Sequence, residues 1–457
     1  MKRVLCLVVV GLLTVVLVLS SCAARAIEAP PAPTDATKAA EAPPAATRIP
    51  TQTLTQPNGD AAKMLLEGNK LSGQEQWQEA ITAYGKAIEL DPNNVQAYID
   101  RSSAYRKLGQ FDDALNDANT AIKLEPGNAR AYVERSFTYK FLRQSDKALA
   151  DATKAMELDP KLAMAYDVRA SVHNTLGQFE MAISDASKAI GLDANYSEAY
   201  ESRASAYVGL HQYEMALSDA SAAIKLNPRN ALAYSVRADA NRLLLKTDQA
   251  LSDYTRAIEV ASTMMVKADA YGRRSLLYSI LGKFEKAVAD ATKAIELSPD
   301  EPEAYIFRAG AYSEMKQHDT EAIADATRVI ELSGSSEDKY PAAAAYGLRA
   351  RSYNRMSKYE QAVSDATKAI EVEPKLALAY EARGMAYGGL GQFEKALNDF
   401  SRKIELEPEA QAYINRAAVS LFLHRDSEAD ADFKAAISLG ASSQQTEAAK
   451  QGILKQR

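Results

Sequence analysis

Tyr98, Arg101, Ala114 and Pro126 recur as Tyr132, Arg135, Ala148 and Pro160, every one displaced by 34 residues. A fixed period of this size marks an array of stacked supersecondary units, each contacting only its neighbours. Such an array has no single interior in which to enclose a catalytic pocket. It has a long surface instead, so binding is the expected activity.

Counting Val95 as position 1, units begin at Ala61, Val95, Ala129, Ala163, Ser197, Ala231, Ala268, Pro302, Ala343, Ala377 and Ala410. All carry a central Ala, at position 20 or, in the unit with the extra turn residue, at Ala322 one residue later, and all but the first carry Tyr at position 4. Each unit reads as two helices. Tyr98, Arg101, Ser102 and Tyr105 share one helical face, and Ala114, Leu115, Ala118, Ala121 and Ile122 share a second. Gly109 between them suits a turn of positive φ. Pro126 stops the second helix, because proline lacks the amide hydrogen and clashes with the preceding turn. Three stretches interrupt the register: Met265 to Lys267, one extra residue near His318 and Asp319, and a polar loop from Gly334 to Pro341. These read as rim loops, with hinges as the alternative. Whether the loop at 333–342 is a hinge stays open.

The pattern resembles the tetratricopeptide repeat, with Tyr for Trp at position 4, Arg for Leu at position 7 and often Ala for Phe at position 24. The resemblance spans residues 61–443 and implies an all-α solenoid of about eleven helix-turn-helix repeats in a right-handed superhelix. A short polar segment, 444–457, is expected to cap the last unit through Ile453 and Leu454. The resemblance further implies a concave surface lined by positions 2, 5, 9, 12 and 13. Carried over, these positions give Gln96, Ile99, Arg106 and Lys107 from one unit, and Arg130, Val133, Phe137, Lys140 and Phe141 from the next. Aromatics beside cations make a site for an extended acidic or carboxylate-terminated peptide. The alternative is that these are ordinary solvated residues, with Phe137 and Phe141 packed between units. Arg351, Asn354 and Arg355 form a weaker patch, and Asp167, Glu198, Glu201 and Asp239 are expected to make the middle of the groove acidic.

Position 7 is Arg and position 23 is Asp in the same ten units. The pairs are Arg101 with Asp117, Arg135 with Asp151, Arg169 with Asp185, Arg203 with Asp219, Arg237 with Asp253, Arg274 with Asp290, Arg308 with Asp325, Arg349 with Asp365, Arg383 with Asp399, and Arg416 with Asp432. The spacing is 16 residues, or 17 in the unit with the extra turn residue, and the first unit lacks both partners. Both positions face inward, and a buried charge must be paired. The expectation is ten structural ion pairs within units, with a basic ladder for polyanions as the competing reading.

Lys2 and Arg3 precede an apolar run from Val4 to Leu19, then Leu19-Ser20-Ser21-Cys22. This is a charged n-region and an h-region, short for a membrane span. It resembles a bacterial lipoprotein signal. That resemblance implies removal of residues 1–21 and acylation of Cys22, giving durable membrane attachment. An uncleaved anchor or an ordinary signal peptide is the alternative. Ala23 after the cysteine implies the outer membrane facing the periplasm in a two-membrane bacterium. With one membrane it implies the outer face of the plasma membrane. Residues 22–60, rich in Ala, Pro and Thr, read as a disordered tether reaching about 35 Å as flexible coil.

A net charge of −6 in 457 residues argues against a nucleic-acid partner. Cys6 would leave with the signal, so the array holds no thiol for a disulfide or metal. His173, His211, His318 and His424 lie in separate units without metal-ligand spacing, and His173 replaces a core tyrosine. No catalytic or phosphate-binding motif appears, so no cofactor and no enzyme activity are expected. The chain reads as an envelope scaffold that binds other proteins or peptides. The alternative is an accessory subunit that binds glycan or peptidoglycan, or that recruits an envelope enzyme.

Overall fold

The computed structural model describes residues 59–315, 317–335 and 340–455. The lipoprotein signal, Cys22 and the tether up to residue 58 lie outside the described residues, as do 336–339 of the long polar loop. The described residues contain 23 α-helices and no strand, and 22 of these pair as eleven hairpins. No helix among them is long and apolar enough to cross a membrane. Two compact units divide after Val236.

One hairpin shows how the sequence makes the element. The Asn94 side chain accepts from the Ala97 amide and starts the helix Val95–Lys107. Gly109, at φ 77°, turns the chain into Phe111–Leu124. The same turn residue is Glu75, Arg143, His211, Leu245, Ser357 or His424 elsewhere, all at positive φ between 57° and 62°. Glycine is the unstrained choice there, yet six side chains tolerate it. Ala114, Ala118 and Ala121 are wholly buried and let neighbouring helices touch. Ser102 donates to the Ala114 carbonyl at 2.7 Å, fixing one helix against the other.

The ten Arg–Asp positions meet in the same bidentate geometry. Each arginine Nε donates to one carboxylate oxygen and Nη2 to the other; in Arg101–Asp117 these bonds are 2.7 and 2.8 Å, in Arg203–Asp219 2.6 and 3.0 Å, and in Arg308–Asp325, across the extra turn residue, both 2.8 Å. The carboxylates are nearly buried, and the hydrogen bond to Asp219 raises the Arg203 guanidinium above its usual range. The third nitrogen reaches back to the preceding hairpin. Nη1 donates to Asn119 from Arg135, to Ser187 from Arg203, to Thr292 from Arg308 and to Ser401 from Arg416, at 2.8 to 3.2 Å. One guanidinium therefore ties three helices. Tyr at position 4 completes the cluster: the Arg135 guanidinium lies 5.4 Å from the Tyr132 ring, and the Tyr166 hydroxyl donates to the Pro160 carbonyl.

The first hairpin closes differently. Tyr84 fills position 24 and lies against Gly68, where an added Cβ would come within 2.4 Å of the ring, and its hydroxyl donates to Asn69. A second aromatic–glycine match, Phe400 on Gly384, recurs later.

Of the interruptions, 265–267 and the end of the polar loop at 340–341 are helix, while the extra residue near His318 stays in the turn before Asp319–Leu332. The three extra residues at 265–267 belong to Met264–Ile280, which starts a turn early with Thr263 accepting from the Val266 amide. Likewise Tyr340 and Pro341 open the helix Tyr340–Arg355, so they leave the loop in which the sequence placed them. An added turn preserves the hydrogen-bond ladder where a loop would break it. The connection before Ala410 is one residue shorter than in most units. There Lys403 occupies a wholly buried position that is Ala in most units, and pairs with Glu407 at 2.6 Å and Glu409 at 3.3 Å. Burial pushes the Glu409 carboxyl up to about 7 against the pull of Lys403. Finally Ser443–Leu454 lays Ile453 on Ala417, Leu421, Ala429 and Phe433.

Two stability measurements check the clamp. Arg203→Ala leaves Asp219 buried and unpaired, and should cost about 3 kcal/mol of local stability in thermal or denaturant unfolding. Gly85 stands where other units place the acceptor for Nη1, and its Cβ direction lies 3.6 Å from Arg101 Nη1. Gly85→Ser should therefore stabilise by about 1 kcal/mol, through helix propensity and the missing hydrogen bond.

Candidate partner-binding groove

The sequence-derived patch lies in the unit that ends at Val236. Its position-5 members are core, not surface: Ile99 is 1% exposed and Val133 fully buried. Position 5 faces the seam between successive hairpins, where apolar side chains lose water on both sides.

The polar members pair across that seam. Gln96 Nε2 donates to Asp100 at 2.7 Å, and Arg130 of the next hairpin stands 3.9 Å from the same carboxylate. Burial raises the Asp100 carboxyl, against Gln96 and Arg130. Arg106 donates to Glu134 of the next hairpin at 2.9 Å, with both side chains about nine-tenths buried. It also lies 4.8 Å from the Phe137 ring centroid. Phe141 does not join Phe137 in one exposed aromatic pair. It stacks on Phe111 of the preceding hairpin, with centroids 5.6 Å apart and planes 13° from parallel.

Two cations stand apart. Lys107 is exposed, with its ammonium 6.0 Å from the Trp77 ring centroid. Lys140 donates to the Ser171 hydroxyl, and burial lowers its pKa. Glu201 and Asp167 act on the Lys140 ammonium, and Glu134, Glu198 and Glu75 on that of Lys107, each against the effect of burial.

Asp167 is buried at 3% exposure and has hydroxyl partners in place of a cation. It accepts from Ser202 at 2.7 Å and Tyr196 at 3.0 Å, both from the next connection and hairpin. Burial pushes its carboxyl up to about 6, with Glu198 adding to the rise. The expected acidic centre thus holds a carboxyl that titrates near neutrality.

In the unit from Arg237 onward, Asp239 is also neutralised. It accepts from Tyr254 at 2.6 Å and pairs with Arg242 and Arg273. Burial alone would raise it, but the two guanidiniums outweigh that and hold it below the usual carboxylate range. The weaker patch is committed as well: Arg351 pairs with Glu314, Arg355 with Asp319, and Asn354 donates to the Ala382 carbonyl. Among the described residues no group of three or more His, Cys, Asp or Glu side chains is placed to hold a metal.

Paired helices, stacked at a constant register on small residues and joined by repeated turns, define a helical-hairpin repeat protein. Models of the tetratricopeptide repeat match residues 95–128, 129–162, 164–196, 268–301, 343–376 and 377–409, and a TPR repeat model matches 68–101. The chain belongs to the tetratricopeptide repeat family. It is 43% identical over 56 residues to human small glutamine-rich tetratricopeptide repeat-containing protein beta, covering 12% of this chain and 18% of that protein. Protein 2 of the same name from Mycosarcoma maydis is 43% identical over 54 residues, covering 12% and 15%. The chain thus matches under a fifth of either relative's length. Among solved structures, a tetratricopeptide repeat protein from Parabacteroides merdae is 23% identical over 56% of this chain and 98% of its own, with a TM-score of 0.43. The Cut9–Hcn1 hetero-tetramer of the APC/C gives 12% identity, 79% and 96% coverage, and a TM-score of 0.45.

Asp167 makes a pH-dependent prediction. Its folded pKa, about 6, is above its ordinary value of 3.8. Between those values the folded chain keeps a proton that the unfolded chain has released, so stability from this group falls as pH rises through the window. Asp167→Asn removes the charge, keeps one acceptor oxygen for a hydroxyl and offers an amide that donates to the other hydroxyl. It should match the parent near pH 4 and exceed its stability by about 2 kcal/mol above pH 7, measured by denaturant unfolding at each pH.

Proposed function

We propose that the chain is a membrane-tethered scaffold of a bacterial envelope that binds other proteins or peptides in its first-unit groove. Lipid on Cys22 holds it at the membrane, in the outer membrane facing the periplasm or, with one membrane, on its outer face. The tether of residues 22–60 lets the repeats search for partners. Family membership supports the protein-binding part, and the lipobox-like Leu19-Ser20-Ser21-Cys22 supports the anchor.

The observation that carries the groove reading is the state of Lys107 and Lys140. Arg106 already has Glu134, and Arg130 has Asp100 nearby. The two lysines have the Trp77 and Phe141 rings and the Ser171 hydroxyl beside them. Burial around Lys140 disfavours its charged form, so a counter-ion brought by a ligand stabilises it. A segment rich in Asp and Glu, or ending in a carboxylate, supplies one.

The test is affinity capture from the envelope fraction of the source organism, using the chain and its Lys107→Glu, Lys140→Glu variant. The reading expects a protein retained by the first and lost by the second, with unchanged melting temperature, and movement of Cys22→Ala from membrane to soluble fraction. Equal capture by both baits contradicts the groove assignment. Cys22→Ala left in the membrane contradicts the anchor.

A further inference from the structure

Position 11 of the repeat is Tyr in seven units, and Tyr105, Tyr353 and Tyr387 pack as half-buried rings against the hairpin cores. The clamp arginine lies over that ring at 5.7 Å for Tyr105, 5.9 Å for Tyr139 and 5.8 Å for Tyr278. In three of these units a lysine at position 19 closes the rim, as Lys147 does over Tyr139 at 5.4 Å and Lys395 over Tyr387 at 5.2 Å.

Three clamped units lack this tyrosine, having His173, Asn241 and Ser420. Their arginines Arg169, Arg237 and Arg416 are the most exposed of the ten, at 26, 27 and 26%, against 15 to 21% elsewhere. In two of them an aromatic at position 24 restores the lost volume, namely Tyr254 and Phe433, both buried. The unit from Ala163 has Ala186 at position 24, so nothing replaces the ring. His173 folds inward, its Nδ1 2.6 Å from Gln178 and its Nε2 3.7 Å from Asp185. An open cleft of about 310 Å³ lies there, lined by Leu149 and Thr153 of the preceding hairpin and by Arg169, His173, Met181 and Asp185. The rim residue is Met181, 54% exposed, in place of a lysine.

We propose that this cleft is a second binding site, taking a tyrosine side chain from a partner protein. The chain's own tyrosines show the fit, because a ring in the same place lies under the clamp arginine in other units. The guanidinium face offers a cation–π contact, and the Met181 thioether offers a sulfur–aromatic one. The volume suffices, since an engineered apolar cavity of roughly 150 Å³ already takes benzene. The cleft shares no residue with the groove patch, so the proposal stands independently of the groove.

The test titrates p-cresol, the tyrosine side chain in free form, into the full chain and follows binding by saturation-transfer NMR. Isobutanol serves as the aliphatic comparison. His173→Tyr refills the cleft with the residue other units use, and should weaken p-cresol binding by about tenfold or more, the scale on which a filled pocket rejects a group. Met181→Lys, a surface change, should weaken it less. Absence of p-cresol binding, undiminished binding in His173→Tyr, or isobutanol binding as strongly as p-cresol would each overturn the proposal.

Discussion

A guanidinium of the ladder such as Arg203 meets three demands at once, and the rest of the architecture follows from that. It neutralises a carboxylate that the hairpin has nearly buried, it donates back to the preceding hairpin, and it rests on a tyrosine ring. Ala, with no side chain to pack beyond its Cβ, fills the helix contacts around it. Such contacts bury little area per residue, so a small-residue interface is weak in apolar terms. The bidentate pair adds direction: it sets helix rotation, and through Nη1 it sets the stagger of neighbours. Arg is suited to this because its planar fork serves two partners without changing rotamer.

Periodicity made the fold class and the repeat boundaries legible, since a pattern repeated at fixed spacing reports the same local geometry each time. The polar residue at position 25, Asn119, Ser187 or Thr292, was equally visible, and its role needed only the stacking direction. The groove was harder to read. Arg106 and Glu134 belong to different units, and their meeting depends on the rotation between hairpins, which no single period encodes. Ile99 and Asp167 occupy the same position-5 slot, yet one is core and the other a hydroxyl-bonded carboxyl. The insertion at 265–267 and the segment at 340–341 read as rim loops in the sequence because they break the repeat register, while the cost of opening a ladder favours adding a turn. Lys403 in an alanine slot was a signal for the shortened connection behind it.

Neutralisation within the array shapes what it can bind. Most groove charges already have partners of the opposite sign in an adjacent hairpin, so a ligand competes with existing pairs before it gains new ones. In the proposed reading, a ligand carboxylate would meet Lys107 and Lys140 beside a ring and a hydroxyl. Asp167 adds a condition, because its proton content sets how negative the groove is between pH 5 and 7. The cleft at His173 obeys different rules: shape and an aromatic face decide there, with little net charge.

The most direct measurement is a double-mutant cycle on Arg383 and Asp399, using Arg383→Met, Asp399→Leu and the pair together, with unfolding free energies from denaturant melts. A ladder that holds hairpins shut predicts large losses for each single change, much of which the double change recovers. The coupling should be about 2 kcal/mol or more. Coupling near zero, with the singles additive and mild, would show that the pairs are incidental and that the arginines serve another purpose.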